Sequence, residues 1–115
     1  MPDAPLTDAQ IAAELAELAG WRHERKALRR AYKTDGWPTT LMLVNAIGFV
    51  AEAADHHPDL AVSWGKVEVS LWTHSAGGIT RKDVALARAI ERAARWRPEG
   101  WRGTTKPWVQ PDDVS

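Results

Sequence analysis

The chain predicts an α+β domain: a four-stranded antiparallel sheet with helices packed on one face, in the order α-β-β-α-β-β-α. Three observations carry this. Three stretches pair a helix-start signal with apolar residues spaced three and four apart. Two stretches between them alternate apolar and polar residues. Each of those is split by a short turn, as in a hairpin.

The first helix opens at Thr7 and Gln10, which have the spacing of a capping box. Ile11, Leu15 and Leu18 make its apolar stripe, and Gly20 is placed to end it in the left-handed conformation. In the next stretch Leu28 and Tyr32 fall on one face of a strand, and Ala27, Arg29, Ala31 and Lys33 on the other. The hairpin turn is expected near Glu24 and Arg25. Asp35-Gly36-Trp37-Pro38 breaks the pattern, and Pro38 suits the first turn of the second helix. That helix is expected to bury Leu41, Val44, Ile47, Gly48 and Ala51. Met42, Asn45, Phe49, Glu52 and His56 lie on the neighbouring stripe, at the edge of a largely buried element, and Pro58 stops it. Residues 60–63 and 66–73 form the second hairpin around Trp64-Gly65, with Val67, Val69 and Leu71 alternating. Thr80 and Asp83 open the last helix as a second capping box, and Val84, Ala87, Ile90 and Ala94 face inward.

Past Trp96 the periodicity ends. Residues 1–98 are therefore expected to form the domain and residues 99–115 an irregular tail rich in proline and glycine, whose Trp101 and Trp108 predict docking on the domain or a neighbouring subunit.

Composition excludes several function classes. At 115 residues the chain is one domain, long enough to bury roughly two thirds of its unfolded surface. It has no cysteine, hence no disulfide, thiolate metal site or cysteine nucleophile. Fifteen basic residues balance fifteen acidic ones, without the basic excess expected of a nucleic-acid binder. No apolar run approaches the ~20 residues of a membrane span, and the first five residues lack the regions of a signal peptide, so a cytoplasmic protein is expected.

The chemistry-bearing residues concentrate between Glu52 and Asp83, where three of the four histidines lie. Histidine exchanges protons near neutrality. Glu52 and His56, four apart, share a helical face; Asp55 and His57 project from the adjoining positions. His74 follows the end of a strand and enters a Ser75-Ala76-Gly77-Gly78 turn, so a helix end and a strand end can converge. Two histidines and a carboxylate are also a familiar metal set, but adjacent His56 and His57 diverge on leaving a helix, which argues against a shared ion. His23 has no partner in its polar stretch and reads as solvent-facing. Trp64 reads as a core aromatic on a hairpin, and Asp83 as a cap.

Together these residues carry a resemblance. Glu52, three residues, His56-His57-Pro58, five residues, Trp64, nine residues, His74, eight residues and Asp83 resemble the signature of the pterin-4a-carbinolamine dehydratases. These proteins are also called dimerisation cofactors of a homeodomain transcription factor. The resemblance spans residues 7–96 and agrees with the α+β fold. It implies a 4a-hydroxytetrahydrobiopterin dehydratase, a hydro-lyase converting 4a-hydroxytetrahydropterin to quinonoid dihydropterin in tetrahydrobiopterin recycling. An aromatic amino acid hydroxylase is the implied pathway partner, a homodimer or homotetramer the implied assembly, and no metal or other cofactor is implied. By the same resemblance His56 and His74 are the acid and base, His57 and Asp55 hold the pterin, and Glu52 orients His56 or a ring nitrogen. Trp72, Thr73 and Ser75 complete the substrate-binding set. The alternative is a noncatalytic dimerisation or binding module of the same fold acting on a protein partner; three retained histidines favour the enzyme.

Overall fold

Thr7 and Gln10 close a reciprocal capping box: the Gln10 amide donates to the Thr7 hydroxyl at 3.1 Å, and the Thr7 amide donates to the Gln10 side-chain oxygen at 2.9 Å. They open α1, Asp8–Leu15, in a computed structural model that describes residues 4–100 and Val109. The regular helix stops well before Gly20, and further turns carry Leu18 into the core. Gly20 is required on two counts. Its φ is +88°, and a Cβ there would lie 2.7 Å from the guanidinium carbon of Arg30.

Then follow β1 (Arg22–Glu24), β2 (Ala27–Lys33), α2 (Trp37–Ala54), β3 (Asp59–Ser63), β4 (Lys66–Leu71), a short 3₁₀ turn (His74–Ala76) and α3 (Arg81–Arg95). Among the described residues the strands form one antiparallel sheet ordered β1-β2-β4-β3. Leu28, Arg30 and Tyr32 of β2 lie opposite Leu71, Val69 and Val67 of β4, and all six are fully buried. This face meets the helices: α2 and α3 pack together over β2 and β4, and α1 adds Ile11 to the core. Arg29, Ala31, Glu68 and Ser70 alternate onto the open face. No helix among the described residues is long and apolar enough to cross a membrane.

Three expectations need correction. In α2 the buried line runs through Thr40, Leu43, Ile47 and Ala51, whereas Leu41, Met42 and Phe49 are exposed, Phe49 at 75%. The helix is apolar nearly all round, so periodicity alone does not choose its buried face. Glu52 therefore stands on an exposed surface. Trp64, at the tip of the second hairpin, is 68% exposed instead of a core residue; its ring lies beside Gly36, 3.3 Å from where a Cβ would stand. The turn of the first hairpin falls at Arg25 and Lys26.

The fully buried Arg30 was not apparent from the sequence. Its Nε and Nη2 donate to Glu91 of α3 at 3.2 and 3.3 Å, joined there by the Tyr32 hydroxyl (2.5 Å), Trp21 Nε1 (2.9 Å) and Arg95 Nε (2.6 Å). Burial pushes the Glu91 carboxyl up, but the donors, Arg30 and Tyr32 foremost, outweigh it and hold it at about 2. Burial and then the Glu91 hydrogen bond push the Tyr32 hydroxyl far above its ordinary range. Trp101 and Trp108 lie outside the described residues; Val109 is buried and bridges antiparallel to Thr34.

Candidate active site

The end of α2 is built to turn two histidines out of the helix. Asp55 is left-handed (φ 51°, ψ 42°), its amide donates to the Glu52 carbonyl, and the His56 amide reaches back to the Ala51 carbonyl, both at 3.1 Å. This is a Schellman ending with aspartate where glycine is usual, and Pro58 follows it. The turn separates the histidines. His56 Nε2 meets Asp83 Oδ1 at 2.6 Å, and His57 Nε2 meets Glu52 Oε1 at 2.8 Å. Glu52 thus partners His57, not His56: the left-handed Asp55 rotates His56 off the face that four-residue spacing assigns it.

Asp83 has a larger part than its capping box announces. It is completely buried, and its Oδ2 accepts from the Thr80 amide (2.9 Å), closing the box, and from the Thr73 hydroxyl (2.8 Å). Its Oδ1 remains for His56. A carboxylate oxygen accepts, which assigns the donor in this contact to His56 Nε2–H and leaves Nδ1 as the ring nitrogen that Asp83 does not engage. One carboxylate fastens the start of α3, the end of β4 and the histidine at the end of α2.

His74 differs. It opens the 3₁₀ turn and is exposed; its carbonyl accepts from the Gly77 amide at 3.1 Å, but its imidazole has no hydrogen-bond partner among the described residues. Its ring stands against Trp72, centroids 4.1 Å apart and planes tilted by 43°. Among the described residues no hydrogen bond fixes its tautomer. The loop is closed by the antiparallel bridge between Thr73 and Gly78.

These elements surround one cavity of about 450 Å³. Asp55, His56 and His57 line it from the end of α2, and Trp72, Thr73, His74 and Ser75 from the end of β4. Glu52 reaches the cavity only through His57. Lys82 also lines it, and sequence reasoning missed it because it stands between the two capping residues, where a lysine reads as solvated surface. Among the described residues no group of three or more His, Asp or Glu is arranged to hold a metal ion; His56 and His57 engage different carboxylates.

A small α+β domain whose helix and strand ends place three histidines around one cavity defines the class, and comparison with known proteins gives the family. Residues 4–93 match the family described as Pterin 4 alpha carbinolamine dehydratase. Two bacterial relatives provisionally named pterin-4-alpha-carbinolamine dehydratase are similar. One from Aquifex aeolicus is 43% identical over 90 residues, 78% of this chain and 91% of its own. One from Mycobacteroides abscessus is 49% identical over 88 residues, 76% of this chain and 94% of its own. A crystal structure from Brucella melitensis, described as a transcriptional coactivator/pterin dehydratase, superposes with a TM-score of 0.74 at 32% identity, covering 78% of this chain and 98% of that one. The chain belongs to the pterin-4-alpha-carbinolamine dehydratase family.

Proposed function

We propose that this protein dehydrates 4a-hydroxytetrahydropterin to the quinonoid dihydropterin. The observation that supports this is the single cavity shared by His56, His57 and His74 in a member of this family. The hydroxyl on C4a takes a proton and leaves as water with the C–O bonding electrons. N5 loses its proton, and its electron pair forms the C4a–N5 double bond. One proton is delivered and one removed, with no change of redox state. His56, working through Nδ1, and the untethered His74 supply the acid and the base. His57, held by Glu52, positions the pterin with Asp55, Trp72, Thr73 and Ser75. Proton transfer of this kind contributes ~10²–10⁴-fold. The same proposal includes the setting of tetrahydrobiopterin recycling beside an aromatic amino acid hydroxylase. Stopped-flow measurement of carbinolamine decay tests it: wild-type protein accelerates decay, and folded His74→Ala or His56→Ala loses most of that acceleration. Wild-type decay at the buffer rate would reject the enzyme and promote a binding module.

A second reading concerns assembly and rests on the exposed α2 surface. Leu41, Met42 and Phe49 present an apolar stripe to solvent, which supports a homodimer or homotetramer, or a protein partner, the Brucella structure being described as a transcriptional coactivator as well as a pterin dehydratase. Light scattering of wild type and Phe49→Glu tests self-association: a drop in mass is expected, and a monomeric wild type would reject it.

A further inference from the structure

The open face of the sheet carries a second cavity, of about 310 Å³, that the dehydration chemistry does not use. Arg25, Lys26 and Arg29 line it from the first hairpin, Asp59 and Ser70 from across the sheet, and Trp72 from beyond β4. Trp72 also lines the histidine cavity, where its ring packs on His74. One indole therefore separates the two cavities.

The cationic side is prepared for a ligand. Arg29 Nε donates to the Glu24 carbonyl at 2.9 Å and Nη1 to the Ser70 hydroxyl at 2.7 Å, which fixes the guanidinium and leaves Nη2 without an acceptor among the described residues. Lys26 has no hydrogen bond or ion pair among the described residues. Arg25 makes one long contact, 3.7 Å, with Glu24. The carboxylate in the wall, Asp59, lies beyond Ser70 from Arg29 in the row Arg29–Ser70–Asp59, so the hairpin side remains cationic.

The hairpin turn itself is a second observation. Arg25 (φ 50°) and Lys26 (φ 65°) are both left-handed, as in a two-residue type I′ turn, where asparagine, aspartate and glycine are preferred. Long side chains are disfavoured there, and backbone strain of this sort collects at ligand clamps. Here it sets two cations beside a cavity.

We propose that this cavity receives an oxyanion at the end of the substrate's side chain, so that the preferred substrates are pterins with a phosphate ester or glutamyl carboxylate on the C6 substituent. The proposal rests on the pterin dehydratase reading. In a 4a-hydroxytetrahydropterin C6 is bonded to N5, so the side chain leaves the ring beside the reacting atoms. His74 acts among those atoms and touches Trp72. A tail that passes Trp72 reaches Lys26 and the open Nη2 of Arg29, where charge-assisted hydrogen bonds select an anion.

Equilibrium binding of three 7,8-dihydropterins to the full chain tests this: dihydrobiopterin with its neutral tail, 6-hydroxymethyldihydropterin monophosphate, and dihydrofolate. At low ionic strength an anionic-tailed ligand binds roughly tenfold or more tightly than dihydrobiopterin, and the preference shrinks with added salt. The stronger of the two anionic ligands identifies phosphate or carboxylate as the group recognised. Lys26→Gln and Arg29→Gln each bring the ratio towards one. Lys33→Gln, which removes an exposed cation of β2 outside the cavity, leaves it in place. Arg29→Gln also loses two hydrogen bonds within the sheet, so Lys26→Gln, with none to lose, decides the matter. Dihydrobiopterin binding as tightly as both anionic ligands, or a preference untouched by Lys26→Gln, overturns the tail proposal alone. Binding of none of the three overturns the pterin reading with it.

Discussion

Replacing Asp83 by asparagine separates its structural from its chemical part. The buried carboxylate accepts from the Thr80 amide, the Thr73 hydroxyl and His56 Nε2. Asparagine keeps the shape but offers one acceptor and one donor. The Thr80 amide cannot invert, so the asparagine oxygen takes the Oδ2 place and the NH₂ group faces His56. His56 must then accept through Nε2 and move its proton to Nδ1. All three bonds persist but none now has a charged acceptor, and since a hydrogen bond to a charged group contributes ~1.5–3 kcal/mol against ~0.5–1.5 for a neutral one, weakening all three costs about 2–4 kcal/mol. Thr80→Ala removes the capping hydroxyl for ~0.5–2 kcal/mol and leaves the Asp83–His56 pair. Urea denaturation gives the two stability losses, ¹⁵N NMR of the histidine rings reports the tautomer, and single-turnover dehydration gives the rate. Below the melting range, Thr80→Ala should retain most of its rate. Asp83→Asn should show the Nδ1–H tautomer, and its rate should fall by about 10²-fold or more if Nδ1 is the base. An Asp83→Asn protein with an unchanged His56 tautomer and wild-type rate would refute this, leaving Asp83 a cap and nothing further.

Two other substitutions test different parts of the frame. Glu91 has its carboxyl held at about 2 instead of 4.5, which corresponds to roughly 3 kcal/mol, or about 2 kcal/mol after allowance for screening at its 19% exposed side chain. Because the folded-state value is depressed, this stability is complete above pH 4.5 and lost as pH falls towards 2. Urea midpoints of wild type and Glu91→Gln should therefore converge between those limits; a pH-independent gap would contradict the assignment. Asp55→Gly relieves a left-handed non-glycine residue and should raise stability by up to ~1 kcal/mol while weakening dihydropterin binding, and a variant that gains stability and binds as wild type removes Asp55 from the site.

What the sequence made legible follows from how local each signal is. The capping boxes at Thr7 and Thr80 are three-residue patterns, and both appear in the structure. The two hairpins follow from alternation, although the first turn lies at Arg25 and Lys26. The α2 face was illegible because the helix is apolar on nearly every side, and only contact with α3 and β4 decides that Leu43 is buried and Met42 exposed. The partner of Glu52 was misread because four-residue spacing presumes that the helix continues, and the left-handed Asp55 breaks that presumption one residue before His56. Arg30 and Glu91, 61 residues apart, meet only through tertiary structure. An arginine among alternating strand residues carries no mark of burial until its carboxylate arrives from α3.

The three histidines differ in how firmly they are held, and the difference follows from the elements that carry them. His56 is half-buried and fixed through Asp83 to Thr73 and Thr80, and so to the sheet and α3 together. His57 is paired with an exposed carboxylate on its own helix, an arrangement worth little in stability but sufficient to favour one ring orientation. His74 is carried by a three-residue 3₁₀ turn and rests only on Trp72. A dehydration that delivers one proton and removes another needs one group whose geometry is set before substrate arrives and one that can follow the departing oxygen or the N5 proton. In the proposed dehydration a fixed His56 and an untethered His74 on the same cavity would supply that pair. Stiffening the loop around His74 should therefore slow turnover more than binding, whereas loosening Asp83 should damage both.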